Sequence, residues 1–290
     1  MATENENRLD GKVFLVTGGT EGIGKAAATT FARRGATVVL VGRNAEKTAR
    51  VAAEMKAASG NERVEVLLGD LSKMADIRAV AAAFKARWDR LDVLMNNAGG
   101  VFFEREITAD GLERTFALNH ISYFLLTHEL LDVIKKTPGA RVVSTSSGAH
   151  EMGRLADLDE VAKRAKSYAG WTAYGDSKLA NVLFTRELSS RLQGTGVVAN
   201  CVHPGFVRSA FGLHNGGFWG TLIGLSARLF ARTVDKGVET LVWLATSPDA
   251  GKTSGEYFFD LRVTRTAKRA RDEALQKSLW AYSEKVCGIA

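Results

Sequence analysis

What most constrains this chain is a rhythm of short, almost unbroken apolar runs separated by longer stretches rich in alanine and charge. The runs are KVFLVT at 12–17, ATVVLVGR at 36–43, RVEVLLGD at 63–70, LDVLMNNAG at 91–99, RVVSTSS at 141–147, GVVANCVHPG at 196–205 and GEYFFDL at 255–261. A strand with one wet face alternates apolar and polar residues, whereas a strand covered by helices on both faces reads as these do. The segments between them predict helices at 23–33, 45–58, 73–88, roughly 110–135, 172–192, 235–246 and 268–286. Helices between consecutive strands impose parallel crossovers, so the expected fold is α/β: a doubly wound parallel sheet of the Rossmann type. With no linker and no repeat beyond the alternation, one domain over 1–290 is expected.

One stretch breaks the rhythm. Between Phe206 and Thr233 five glycines mix with Phe211, Phe218, Trp219, Leu222 and Ile223. The expectation is a mobile cover over an apolar substrate pocket, spanning 206–230, with permanent core packing and an oligomer interface as the competing readings.

Composition removes several function classes. With 46% hydrophobic and 24% charged residues the chain is an ordered globular one. No run of 18 apolar residues occurs, so no transmembrane segment is expected. The opening MATENENRLDGK lacks the apolar core of a secretory signal, and its acidic residues argue against a mitochondrial presequence. Cys201 and Cys287 read as free thiols, which favours a cytoplasmic setting. The net charge of +7 is spread along the chain except for Arg262, Arg265, Lys268, Arg269 and Arg271, read as a solvated helix face; no nucleic acid is expected as a partner.

TGGTEGIG at 17–24 follows a strand and opens a helix. Gly18 permits a tight turn, Gly22 a close backbone approach to a pyrophosphate, and Gly24 close helix–strand packing, while the helix start offers unpaired N–H groups. The second strand ends in Gly42-Arg43-Asn44, with no carboxylate to hold free ribose hydroxyls. A guanidinium there suits a 2′-phosphate, so NADP is expected rather than NAD; Glu21 works modestly against this. Tyr174 and Lys178 stand four apart on a predicted helix and share a face. An ammonium beside a phenol stabilises the phenolate, so Lys178 is expected to lower the tyrosine pKa and make Tyr174 an acid/base. His120, His150 and His203 have neither the spacing nor the acidic neighbours of a zinc site, and no Gly-x-Ser-x-Gly elbow occurs.

Taken in order, TGGTEGIG, Asp70, NNAG at 96–99, Asn119, Ser146-Ser147, YGDSK at 174–178 and PGFVRS at 204–209 resemble the short-chain dehydrogenase/reductase family, in its retinol-dehydrogenase-like branch. The likeness runs over nearly the whole chain, through SKLANVLFTREL at 177–188 to LWAYSEKV near the end. It implies that Tyr174 is the acid/base, that Lys178 contacts the nicotinamide ribose, that Ser147 orients the substrate oxygen, and that Asn119 holds a water linking Lys178 to solvent. For the cofactor it implies contacts from Gly18, Thr20, Glu21, Gly22, Ile23 and Gly24 in the turn, Arg43 and Asn44 after the second strand, and Asp70 and Leu71 around adenine. Asn96, Ala98 and Gly99 would support its centre, with Pro204, Gly205, Val207 and Ser209 beside the nicotinamide. The implied activity is interconversion of an alcohol and a carbonyl compound, with an apolar substrate and a homodimer or homotetramer. A dinucleotide-binding regulator without turnover and a light-dependent tetrapyrrole reductase are the rival readings; four catalytic side chains weigh against the first, and no pigment feature supports the second.

Overall fold

A computed structural model describes residues 8–205, 207 and 232–289. The strands are β1 (Val13–Thr17), β2 (Thr37–Gly42), β3 (Val64–Leu68), β4 (Val93–Asn96), β5 (Arg141–Thr145), β6 (Val198–Val202), β7 (Tyr257–Phe259) and β8 (Arg262–Val263). They form one sheet in the order β3-β2-β1-β4-β5-β6-β7-β8, parallel up to β7. Only β8 is antiparallel, returning through a two-residue turn at Asp260 and Leu261 (φ 47° and 63°), as a tight hairpin requires. The fold is thus the doubly wound α/β arrangement that the alternation predicts.

The continuous apolar runs have their explanation in two separate cores. Successive strand residues point to opposite faces, and both faces are covered. Leu15, Val39, Leu94, Val142 and Ala199 pack on α3 (Met74–Lys85), α5 (Ser122–Glu129), α8 (Gly170–Arg191) and α10 (Glu273–Cys287). Phe14, Val16, Val38, Leu40, Met95, Val143 and Val202 pack on α1 (Gly22–Arg33), α2 (Ala45–Ser59) and α9 (Val234–Thr246).

Local signals set the element ends. Asn44 caps α2 by accepting from Lys47 N at 2.8 Å, and left-handed Gly60 closes it. The expected helix over 110–135 is instead broken. Glu113, fully buried, caps a short α4 (Arg114–Phe116) by accepting from the amides of Thr115 and Phe116. A π-helical turn follows at Ala117–Ile121, then α5, and a break at Leu130 precedes α6 (Leu131–Lys136). The extra residue of a π-turn rotates one side chain out of helical register, and such turns gather at functional sites; here the turn carries Asn119.

The long interval between Ser147 and Tyr174 contains α7 (Leu158–Lys163), which apolar periodicity is too short to reveal. It is anchored to α8 by buried Asp176, whose carboxylate pairs with Arg164 and accepts from the amides of Arg154 and Leu155. The expected helix at 268–286 divides into a 3-10 turn at Lys268–Arg271 and α10. The five-cation cluster therefore starts on β8 and is exposed throughout, rather than forming one helix face. The proposed cover at 206–230 lies outside the described residues except for Val207, which bridges to Arg232.

Candidate active site

In an open α/β sheet, ligands sit beyond the carboxyl ends of the strands where the order reverses. That point is between β1 and β4. A cavity of about 820 Å³ opens there, lined from the glycine turn after β1 to Pro204, Gly205 and Val207 after β6.

The turn is built for bare backbone. A Cβ on Gly18 would stand 2.9 Å from Ala98 Cα, and one on Gly24 would stand 2.3 Å from the Gly18 carbonyl oxygen. Glu21 precedes α1 without capping it, and no acidic residue follows in the first turn. The first N–H groups of α1 therefore face the cavity end without a side-chain acceptor, as an anion-binding helix start requires. Glu21, which threatened to repel a phosphate, is tied instead to Lys47. Arg43 is exposed at the rim and its charge reaches Asp70. Burial opposes the charge on Asp70, but hydrogen bonds from the Ser72 amide and hydroxyl, helped by Arg43, hold its carboxyl below the ordinary range.

Gly18, Thr20, Glu21, Gly22, Ile23, Arg43, Asp70, Leu71, Ala98, Gly99, Ser147, Tyr174, Lys178, Pro204, Gly205 and Val207 all line this cavity. Gly24, Asn44, Asn96 and Asn119 do not line it, Asn44 being exposed on the surface, and Ser209 lies outside the described residues. Asn44 is committed to its helix cap. Asn96 is buried and turns away to donate to Thr127 Oγ1 at 3.0 Å. Its neighbour Asn97 reaches the cavity in its place and braces the glycine turn, donating from Nδ2 to the carbonyls of Thr17 (3.1 Å) and Gly18 (3.3 Å). Alternation lets only one of two adjacent asparagines face the crevice, but not which one.

Tyr174 and Lys178 lie one turn apart on α8, both buried, with Lys178 Nζ 5.5 Å from the phenol ring centroid. Lys178 Nζ donates to the Thr145 carbonyl at 3.2 Å. Asn119, on the π-turn, accepts from Gly100 N (2.8 Å) and donates to Gly100 O and Ser177 Oγ (both 2.9 Å). A Cβ on Gly99 would meet Asn119 Oδ1 at 3.0 Å and Lys178 Nζ at 3.4 Å, so glycine keeps that approach open.

The expected depression of the tyrosine pKa is not what burial produces. Desolvation pushes Tyr174 up to about 12, opposed by a hydrogen bond with Ser147, and pushes Lys178 down to about 8. The ammonium spends its hydrogen bond on Thr145, and low dielectric penalises both charged forms. Both effects favour the neutral phenol at Tyr174. Around it Phe102, Leu118 and Trp171 supply an apolar wall, with Trp171 edge-on to Tyr174 at 6.0 Å and 40% exposed. No spacing signal marks these three.

The histidines divide. His120 is fully buried against Ser283, with its pKa pushed down to about 3 by desolvation. His203 lines the cavity, stacks on Phe259 at 4.9 Å and is pushed down to about 4, first by burial. His150 lies behind Ser147. Among the described residues no helix is long and apolar enough to cross a membrane.

Residues 12–158 match the model of the short chain dehydrogenase family. The chain is 42% identical to retinol dehydrogenase 12 of Bos taurus over 285 residues, covering 97% of this chain and 88% of the relative. It is 36% identical to human retinol dehydrogenase 13 over 292 residues, covering 99% and 88%. Among solved structures, a Mycobacterium paratuberculosis protein aligns with TM-score 0.77 and 30% identity, covering 97% of this chain and 95% of that one. A protein described as a short chain dehydrogenase from Escherichia coli CFT073, complexed with NADPH, aligns with TM-score 0.69 and 26% identity over 89% and 99%. A family model over half of the chain and relatives 36–42% identical over nearly all of it show the family: the chain belongs to the short-chain dehydrogenase/reductase family of oxidoreductases, among its retinol-dehydrogenase-like members.

Proposed function

We propose that this protein is an NADP-dependent oxidoreductase that interconverts an apolar alcohol and its aldehyde or ketone, with Tyr174 as the acid/base. The observation that carries the reading is the convergence of Ser147, Tyr174 and Lys178 on one cavity that also holds Arg43 and the glycine turn. When bound, NADPH supplies hydride. Ser147 holds the substrate oxygen by a hydrogen bond, and neutral Tyr174 gives that oxygen its proton as charge develops there. Lys178 restores the proton and binds the nicotinamide ribose, while Asn119, fixed by its bonds to the Gly100 backbone, holds the water that links Lys178 to solvent. In the cofactor half, the backbone of Gly18, Thr20, Glu21, Gly22 and Ile23 receives the pyrophosphate, Arg43 the 2′-phosphate, and Asp70 and Leu71 the adenine. Ala98 and Gly99 lie along its centre; Pro204, Gly205, Val207 and Ser209 border the nicotinamide.

Phe102, Leu118 and Trp171 favour an apolar substrate over a charged one. The retinol dehydrogenases among the relatives agree with that preference. A homodimer or homotetramer in the cytoplasm completes the proposal. The test is a panel of apolar aldehydes and ketones assayed in darkness with NADPH and with NADH. Carbonyl-dependent consumption of NADPH in preference to NADH is expected. Cofactor binding without turnover would replace the proposal with a regulator, and turnover that requires light would replace it with a photoreductase.

A further inference from the structure

His150 takes no part in the cavity wall, yet both of its ring nitrogens are committed. It stands on the 3-10 turn Gly148–Met152 directly after Ser147 and is 1% exposed. Its Nδ1 lies 2.8 Å from the Ser147 carbonyl oxygen, and its Nε2 lies 3.2 Å from the Ala267 amide nitrogen. A carbonyl only accepts and a backbone amide only donates, so the hydrogen sits on Nδ1 and the lone pair on Nε2. One neutral tautomer satisfies both partners, whereas an imidazolium would set Nε2–H against Ala267 N–H. Tyr257, with ring centroids 4.7 Å apart, fixes the plane of the imidazole.

The carbonyl so gripped belongs to the residue whose hydroxyl meets Tyr174. Ser147 is extended (φ −160°, ψ 158°), and its Oγ accepts from Ala149 N at 3.2 Å. Its carbonyl receives a second bond from the His150 amide at 3.0 Å. With the ring present, the Ser147 carbonyl is held by two donors from the same residue.

We propose that His150 is a positioning residue: from behind the cavity wall its Nδ1–H clamps the Ser147 carbonyl and so sets the direction in which Ser147 Oγ meets Tyr174 and a substrate oxygen. The inference rests on the role given to Ser147 above. Three substitutions separate it from plain packing. H150N places an amide donor where Nδ1–H stands and loses Ala267; H150Q reaches Ala267 and loses Ser147; H150F keeps the ring packing and loses both bonds. Loss of one orienting hydrogen bond corresponds to about a tenfold effect. The expected result is kcat near wild type for H150N and about tenfold lower for H150Q and H150F, with NADPH affinity unchanged in all three. Equal kcat for H150N and H150Q, or kcat that simply follows thermal stability across the set, would overturn the proposal. Nitrogen NMR of histidine-labelled wild-type protein gives a readout that needs no variant: Nδ1–H is expected for His150, and Nε2–H would overturn it. S147A tells the two layers apart, since undiminished turnover in that variant refutes the role of Ser147 itself, whereas failure of H150N to exceed H150Q refutes only the clamp.

Discussion

Replacing Lys178 by methionine should stabilise the folded protein while removing its activity. Lys178 is 3% exposed, and burial lowers its pKa from 10.5 to about 8. At about 1.36 kcal/mol per pH unit, keeping it charged in the native state at neutral pH costs roughly 3 kcal/mol. The lost hydrogen bond returns part of this, about 1 kcal/mol. Its acceptor is not orphaned, however, because the Thr145 carbonyl also receives Asn181 Nδ2 at 3.2 Å. A methionine fills the same channel without charge. The net expectation is a gain of about 1–2 kcal/mol at pH 7. The sign with pH follows from proton counting: between about 8 and 10.5 the unfolded chain holds the lysine proton and the native chain does not, so wild-type stability attributable to this group rises across that window. The advantage of Lys178→Met should therefore shrink as pH rises from 8 towards 10.5. Urea denaturation at several pH values measures it. A variant less stable than wild type at pH 7, or a difference that grows with pH in that window, would mean that burial of the Lys178 charge is not a net cost.

Arg43→Ala should weaken NADPH about tenfold and leave NADH nearly unchanged, as titration calorimetry with both cofactors would show; an unchanged ratio removes Arg43 from the phosphate site. Gly24→Ala should lose cofactor binding and stability together, because its Cβ meets a carbonyl oxygen at 2.3 Å, and calorimetric unfolding with and without NADPH checks it. Trp171→Ala should raise KM for bulky apolar carbonyls about tenfold while sparing NADPH affinity, which steady-state kinetics on a size series would read.

The fold was legible because burial on both sheet faces leaves a trace in every strand: Val38 to Val41 cannot be polar when α2 lies on one side and α3 on the other. The glycine turn, Tyr174 and Lys178 were legible because local geometry demands particular residues at fixed spacing. Other features leave no such trace. The π-turn that aims Asn119 depends on contacts with Gly100 and Ser177, far along the chain. Asn96 and Asn97 are indistinguishable until a strand end is fixed. Phe102, Leu118 and Trp171 come from three separate segments and meet only in the folded chain. The direction of the tyrosine pKa needed burial as well as charge, and a four-residue spacing carries only the charge.

In the proposed reaction, hydride reaches a carbonyl carbon while Tyr174 protonates its oxygen. NADPH deuterated at its transferring position, mixed in single turnover with an apolar aldehyde, tests both parts at once. Wild-type protein should place deuterium on the carbinol carbon, and Tyr174→Phe should bind the cofactor as tightly but transfer about 100- to 10,000-fold more slowly. Deuterium absent from the product, or transfer by Tyr174→Phe at the wild-type rate, would rule out this reaction for the protein.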